Sequence, residues 1–254
     1  MVGSITVKNT VIGEGIPAVC VPLTGATLPQ LMTEAREAAA AGPDLVEWRA
    51  DLFEGIFRMR EVEEALKVLC DLCGDVPLIF TIRTEKEGGE LKISLKDYVE
   101  ILKKTAATGL PSLIDVEALQ LDIHEQREIA EAIHQAGMWM IGSSHHFGCT
   151  PSEEEMKEIF RREEEAGADL LKLAVMPQDY GDLARLLTVT AQMRDGCERP
   201  VITMSMGEIG SASRFCGEIF GSAVTFAAVG KASAPGQLPI DELRQLLAVF
   251  HGSV

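Results

Sequence analysis

One lysine interrupts an apolar run. In the stretch GADLLKLAVMPQ, residues 167–178, Lys172 stands among Leu170, Leu171, Leu173, Ala174, Val175 and Met176. A lysine ammonium is rarely fully buried unless a partner or a shifted pKa compensates it. Strand side chains alternate faces, so a strand wet on one side could simply turn Lys172 to water. A strand covered on both faces could not. Other apolar runs are interrupted in the same way, by Glu47 and Arg49, by Arg83, by Asp115 and Glu117, by His145 and by Ser205. Each of these alone is compatible with an interior ion pair.

As a set, these residue types describe a chemistry. A lysine held among apolar neighbours and other cations has its neutral form favoured, because desolvation and like charge both oppose the ammonium. Lowering a lysine pKa from ~10.4 to about 7–8 corresponds to roughly 4 kcal/mol in favour of the amine. Neutral amines attack carbonyls to give Schiff bases. His145 supplies a group that accepts and donates protons near neutral pH. Arginines supply a site for an anion. The combination points to iminium chemistry on a carbonyl compound that also carries a carboxylate or phosphate.

The elements that must position these residues follow from the hydrophobic pattern. Short apolar runs occur at 18–23, 45–51, 77–83, 112–118, 138–145, 170–176, 201–206 and 223–229, separated by amphipathic stretches. One of those, residues 59–73, carries Met59, Val62, Leu66, Leu69 and Cys73 at helical spacing. Another, residues 150–167, opens with Thr150 as expected N-cap, Pro151 at the first helical position and Glu153 completing a capping box. Residues 238–250 read as a closing helix. Eight strand-like runs, each followed by a helical one, match a (β/α)8 TIM barrel. An open doubly wound sheet is the alternative, but it usually has fewer strands and a Gly-rich first turn. The N-terminal ITVKNTVIGEG reads as a β-hairpin closing the barrel bottom, and residues 1–254 read as one barrel domain. In such a barrel side chains fill the inside and helices cover the outside, so Lys172 fits only near the C-terminal mouth, where active sites lie. Glu47 and Arg49, two apart, both project inward.

Composition narrows the partners. The chain has 254 residues and a net charge of -16, which disfavours nucleic acid and anionic membranes as partners. With no apolar run of about 18 residues and no signal-peptide core, a cytoplasmic protein is expected. The Cys70–Cys73 pair is a lone CxxC in a helical segment, with no second pair to complete a zinc site, and reads as structural with reduced thiols. HEQREIAEAIH, residues 124–134, places its second histidine too far along for a metalloprotease helix and reads as a solvated helix. The glycine-rich SMGEIGSASRFCGEIFGS, residues 205–222, matches neither a P-loop nor a dinucleotide fingerprint. Arg214 within it lies on the mouth side, where an anion would dock.

The blocks LVEWRADLF (45–53), FTIRTEKEGG (80–89), SSHHF (143–147), TPSEEE (150–155), GADLLKLAVMPQ (167–178), TMSMGEIGSASRFCGEIFGSAVTFA (203–227) and KASAPGQLP (231–239) resemble, in order and over nearly the whole chain, the type I 3-dehydroquinate dehydratases. The resemblance implies a barrel lyase of the shikimate pathway, a homodimer, with neither metal nor organic cofactor. It implies that Lys172 forms a Schiff base with the C3 ketone of 3-dehydroquinate, a carboxylated cyclic hydroxyketone. His145 would be general base at C2 and then general acid for the departing hydroxide, with Glu87 orienting it. Arg214 would bind the carboxylate, Glu47 and Arg83 the ring hydroxyls with Arg49 nearby, and Ser233 and Gln237 would close from the loop after the eighth strand. The family usually has Asp directly after the catalytic histidine, where this chain has His146. Alternation keeps His145 as the catalytic one, since a one-residue slip points to the other face. Two other readings share the lysine or the fold. A class I aldolase often needs a phosphate cradle that is not evident here, and a catalytically silent binding barrel would be expected to have lost its nucleophile or base.

Overall fold

The fold was analysed in a computed structural model whose described residues are 3–230 and 234–251. It opens with an antiparallel hairpin, β1 (Ile5–Val7) and β2 (Thr10–Ile12). Then come β3 (Ala18–Leu23), β4 (Leu45–Arg49), β5 (Leu78–Thr81), β6 (Leu113–Val116), β7 (Trp139–His146), β8 (Leu170–Val175), β9 (Val201–Ser205) and β10 (Val224–Ala228). These pair in parallel in sequence order, with β10 returning to β3. The ring closes between β9 and β10 through a bridge from Val201 to Ser222 and a 2.8 Å bond from the Ala223 N–H to the Val201 carbonyl. A two-residue strand, β11 (Leu238–Pro239), adds to the outer edge of β10. The expected barrel and hairpin are therefore both present.

The helices are α1 (Leu28–Ala41), α2 (Met59–Cys73), α3 (Leu95–Thr108), α4 (Ile123–Gln135), α5 (Glu153–Glu165), α6 (Tyr180–Gly196), the short α7 (Gly207–Gly210), α8 (Ser213–Phe220) and α9 (Ile240–Phe250). The spacing read in residues 59–73 holds, with Val62, Leu66, Leu69 and Cys73 buried. Two boundaries differ from expectation. α5 is capped by Ser152, whose hydroxyl accepts the Glu155 N–H while the Glu155 carboxylate accepts the Ser152 N–H. The capping box is thus Ser152–Glu155, because Thr150 is drawn away to donate to the Met176 carbonyl. The closing helix starts at Ile240, since Leu238 and Pro239 pair with β10 first.

Strand alternation sorts side chains between two cores. Trp48, Phe80, Ile114, Met140, Leu171 and Leu173 face outward and pack with the inner stripes of the helices. Leu45, Ile79, Leu113, Ile141, Leu170, Ile202 and Val224, near the strand starts, face inward and pack with Ile5, Val7 and Ile12 of the hairpin. The hairpin therefore plugs the N-terminal end of the barrel. Two residues further along the same strands stand Glu47, Thr81, Asp115, Ser143, Lys172, Met204 and Phe226, and two further still come Arg49, Arg83, Glu117, His145, Ala174 and Met206. Along β4 to β8 the interior passes from aliphatic near the strand starts to polar and charged towards the mouth, whereas β9 and β10 stay apolar with Met204, Met206 and Phe226.

All six cysteines are free, Cys70 donating to the Leu110 carbonyl at 3.2 Å. α4 carries His124 and His134, the latter bonded to Asp169 at 2.8 Å. Among the described residues no cluster of three or more His, Cys, Asp or Glu could hold a metal, and no helix is long and apolar enough to cross a membrane.

Candidate active site

At the C-terminal ends of the strands lies a cavity of about 380 Å³. Glu47, Arg49, Arg83, His145, Lys172, Arg214 and Gln237 all contribute to its lining, with Met204, Met206, Phe147 and Phe226 as its apolar wall. The sequence had singled out the first seven. Of the remaining two, Glu87 stands behind His145, and Ser233 lies outside the described residues.

Lys172 is buried at the middle of β8, and its immediate partners are carboxylates. Nζ lies 2.9 Å from Asp115 Oδ2 and 3.7 Å from Glu47 Oε1, with the Phe226 ring centroid 4.9 Å away. The environment expected from the sequence, a lysine pressed by cations, is corrected here. Strand alternation put Asp115 two residues beyond inward Leu113, facing the interior from β6, one strand removed from the ammonium on β8.

Arg83 is the hub of the same region. Its Nη2 donates to Asp115 Oδ1 at 2.8 Å, and its Nη1 reaches Glu117 Oε1 at 2.9 Å, Ser143 Oγ at 3.2 Å and Glu87 Oε2 at 3.4 Å. Arg49 makes a fork with Asp51, both bonds 2.8 Å, and Asp51 also accepts the Arg83 backbone N–H. Glu47 accepts the Thr81 hydroxyl at 2.9 Å. Burial alone would push the Asp115 carboxyl up, but Arg83, Lys172 and His145 outweigh it and hold it well below the usual carboxylate range.

His145 and Glu87 form a linked pair, Nδ1 to Oε2 at 2.8 Å. That contact leaves Nε2 as the nitrogen on the cavity side. Burial, then the charges of Arg83 and Lys172, lower the imidazole pKa well below its ordinary value. Burial pushes the Glu87 carboxyl up to about 8, helped by Glu117 and Asp115 and opposed by Arg83. Such a pair can take up and return one proton at Nε2. His146 points away from the cavity, its Nε2 3.2 Å from Ser144 Oγ, as alternation requires.

The far side of the mouth is built differently. Gly210 lets the turn after β9 lie directly on Ser205, where a Cβ would fall 2.4 Å from the Ser205 carbonyl. Ser213 accepts the Ser205 N–H at 2.9 Å, and the Arg214 carbonyl accepts the Thr225 hydroxyl at 2.6 Å. The glycine-rich stretch is thus a packing device that fixes α8 and Arg214. The Arg214 guanidinium is buried, donates through Nη2 to the Pro235 carbonyl at 2.8 Å, and among the described residues has no partner at Nε. Among the described residues no carboxylate pairs with it, and burial lowers its pKa to about 10. A buried cation left uncompensated in a cavity is a receptor for an anion.

Three groups of the site are given no individual role by the sequence. Asp115 and Glu117 were visible as charges in a strand, but their partners come from other strands. Ser143 donates to Asp115 at 2.6 Å and looked like an ordinary small polar residue.

The profile of the type I 3-dehydroquinase family matches residues 19–254. The 3-dehydroquinate dehydratase of Listeria monocytogenes serotype 4b is 42% identical over 247 residues, covering 97% of this chain and 98% of its own. A crystal structure of the type I 3-dehydroquinate dehydratase from Clostridium difficile, with covalent modified comenic acid, superimposes with a TM-score of 0.95 at 43% identity, covering 100% of both chains. The 3-dehydroquinate dehydratase of Geobacillus kaustophilus gives a TM-score of 0.95 at 35% identity, covering 98% of this chain and 96% of its own. With a family match over most of its length and relatives this similar end to end, the chain belongs to the type I 3-dehydroquinase family.

Proposed function

We propose that the chain dehydrates 3-dehydroquinate to 3-dehydroshikimate through a Schiff base on Lys172. The observation that carries this reading is that Lys172 and His145 face one cavity with Arg214, a buried cation that has no carboxylate partner among the described residues. The Arg214 guanidinium takes the substrate carboxylate, which turns the ring so that its ketone meets the lysine. Lys172 Nζ passes a proton to His145 and attacks C3, and return of that proton to the carbinolamine hydroxyl expels it as water and leaves an iminium.

The hydroxyl to be lost is on C1, β to that carbon. His145 Nε2 removes a proton from C2, and the electron pair moves into the C–N π system to give an enamine. A positively charged imine accepts that pair far better than a ketone does, which is why the lysine is used. The pair then returns as the C1–O bond breaks, and the proton on His145 leaves with the hydroxide as water. Hydrolysis of the conjugated iminium frees the product and the lysine, so one water is lost overall. General acid–base help of this kind contributes about 10²–10⁴-fold. Glu87 keeps the imidazole oriented through Nδ1, and Asp115 holds Nζ until the substrate arrives. Glu47, Arg49 and Gln237 complete the polar lining against the ring hydroxyls.

The direct assay follows the conjugated enone in the ultraviolet. The native chain should generate it from 3-dehydroquinate, and Lys172→Ala should not. Folded native protein that produces no enone at saturating substrate would sink the reading.

A further inference from the structure

One buried acid next to the site has no part in the scheme above. Glu163 projects from the inner face of α5 and is fully buried. Its Oε2 accepts the backbone N–H of Lys172 at 3.1 Å, while Oε1 has no partner. The neighbouring strand is shaped around it. A Cβ at Gly142 would lie 3.0 Å from the Glu163 Cβ, 3.3 Å from its Cγ and 2.8 Å from the Ala168 Cβ. The absent side chain at Gly142 is therefore the space through which the Glu163 stem passes to reach β8, where Ser143 of β7 lies opposite Lys172.

The arrangement is costly as packing. Burial first, then Glu87 and Asp115, raise the Glu163 pKa well above the usual range, so burial opposes its charged form, and one of its carboxyl oxygens has no partner among the described residues. An aliphatic side chain would fill the same volume without leaving a buried polar atom unsatisfied. The interaction that distinguishes Glu163 from such a residue is the one with the Lys172 peptide. We propose that Glu163 is a positioning residue for the Schiff-base lysine, clamping the Lys172 N–H from outside the barrel so that Nζ stands between Asp115 and the substrate ketone. The clamp works on the backbone from behind, while Asp115 works on the side chain from within. The inference rests on the Schiff-base reading of Lys172.

The test compares Glu163→Met, which keeps the stem and removes the acceptor, with Glu163→Gln, which keeps an oxygen at the same reach. Turnover, KM and the rate of borohydride trapping by 3-dehydroquinate are measured for both and for the native chain. Misplacement of a reacting atom by about 1 Å costs on the order of 10²-fold, so Glu163→Met should lose ten- to a hundredfold in kcat and in trapping rate. KM should stay within about threefold, because Arg214 and the cavity wall are untouched. Glu163→Gln should recover most of the loss and keep the native pH profile, which a purely structural role would not require. Should Glu163→Met not fold, Glu163→Asn takes its place, its amide falling one methylene short of the Lys172 N–H. Native kcat and trapping rate in the folded Met or Asn variant would overturn the proposal, as would a Gln variant as impaired as either. Failure of the native chain itself to be trapped would instead remove the Schiff-base reading, and this proposal with it.

Discussion

The two sides of the barrel mouth handle buried charge in opposite ways. From β4 to β8, every cation is matched: Lys172 by Asp115 and Glu47, Arg83 by Asp115, Glu117 and Glu87, and Arg49 by Asp51. Across β9, β10 and α8, the wall is Met204, Met206 and Phe226, and among the described residues Arg214 meets the Pro235 carbonyl but no carboxylate, with its Nε bare. Matched charges fix reactive atoms in place, because each hydrogen bond removes a direction of movement. An unmatched charge fixes little, but it holds binding energy in reserve for an anion that brings the missing partner. The comparison assigns reaction to one side and recognition to the other.

The largest break is expected on the matched side. Asp115→Asn leaves Arg83 and Lys172 facing each other with one carboxylate fewer, and breaking a buried pair in this way costs about 3–5 kcal/mol. Urea unfolding at neutral pH should show that loss, together with a fall in kcat. Since the folded-state pKa of Asp115 is depressed, its contribution is complete above the ordinary carboxylate range and disappears as pH falls through the depressed value. The gap between native and variant should therefore close only in strong acid.

On the unmatched side, Arg214→Met should leave the fold intact or more stable, since it removes a desolvated cation that has no carboxylate partner among the described residues. It should cost about 10²-fold in kcat/KM, the loss of a buried charged hydrogen bond to the substrate. A variant that kept substrate affinity while losing stability would collapse the distinction between the two sides.

A smaller and pH-dependent effect belongs to the His145–Glu87 pair. While Glu87 is protonated, its O–H donates to Nδ1 and the imidazole proton sits on Nε2, which then cannot act as a base. Ionised, Glu87 accepts from Nδ1–H and bares Nε2. kcat/KM should therefore rise with pH through about 8, and Glu87→Gln should remove that inflection. The smallest effect is expected at His146, which faces away from the cavity. His146→Asp should change kcat by less than about threefold, well below the losses expected for groups that touch the substrate.

Much of this was legible before any coordinates. The alternation Leu170–Lys172, Leu113–Asp115 and Leu45–Glu47–Arg49 follows from the period of a strand, and covering both faces leaves such residues only the barrel mouth. Arg214 could be placed on the mouth side because it follows the seventh strand-like run. What alternation could not supply was pairing between strands. Nothing in the local stretch around Lys172 says that Asp115, 57 positions earlier, is its partner. Hence the lysine was expected among cations and is found among carboxylates. Glu163 was hidden more thoroughly, in the acidic run REEE of a helix whose other charges face water. Only the glycine at position 142, read together with the helix packed over it, marks that glutamate as buried. The capping box slipped by two residues because Thr150 had a better acceptor in Met176, a contact made in space and not along the chain.

The central claim is that Lys172 is the nucleophile, and it is tested most directly by covalent capture. The native chain is incubated with 3-dehydroquinate and reduced with borohydride, and the intact mass is followed by peptide mapping. The account predicts one reduced adduct, on Lys172, absent from Lys172→Ala and still formed by His146→Asp. An adduct on another lysine, or none from folded protein at saturating substrate, would contradict it and return the Lys172–Asp115 contact to a structural ion pair.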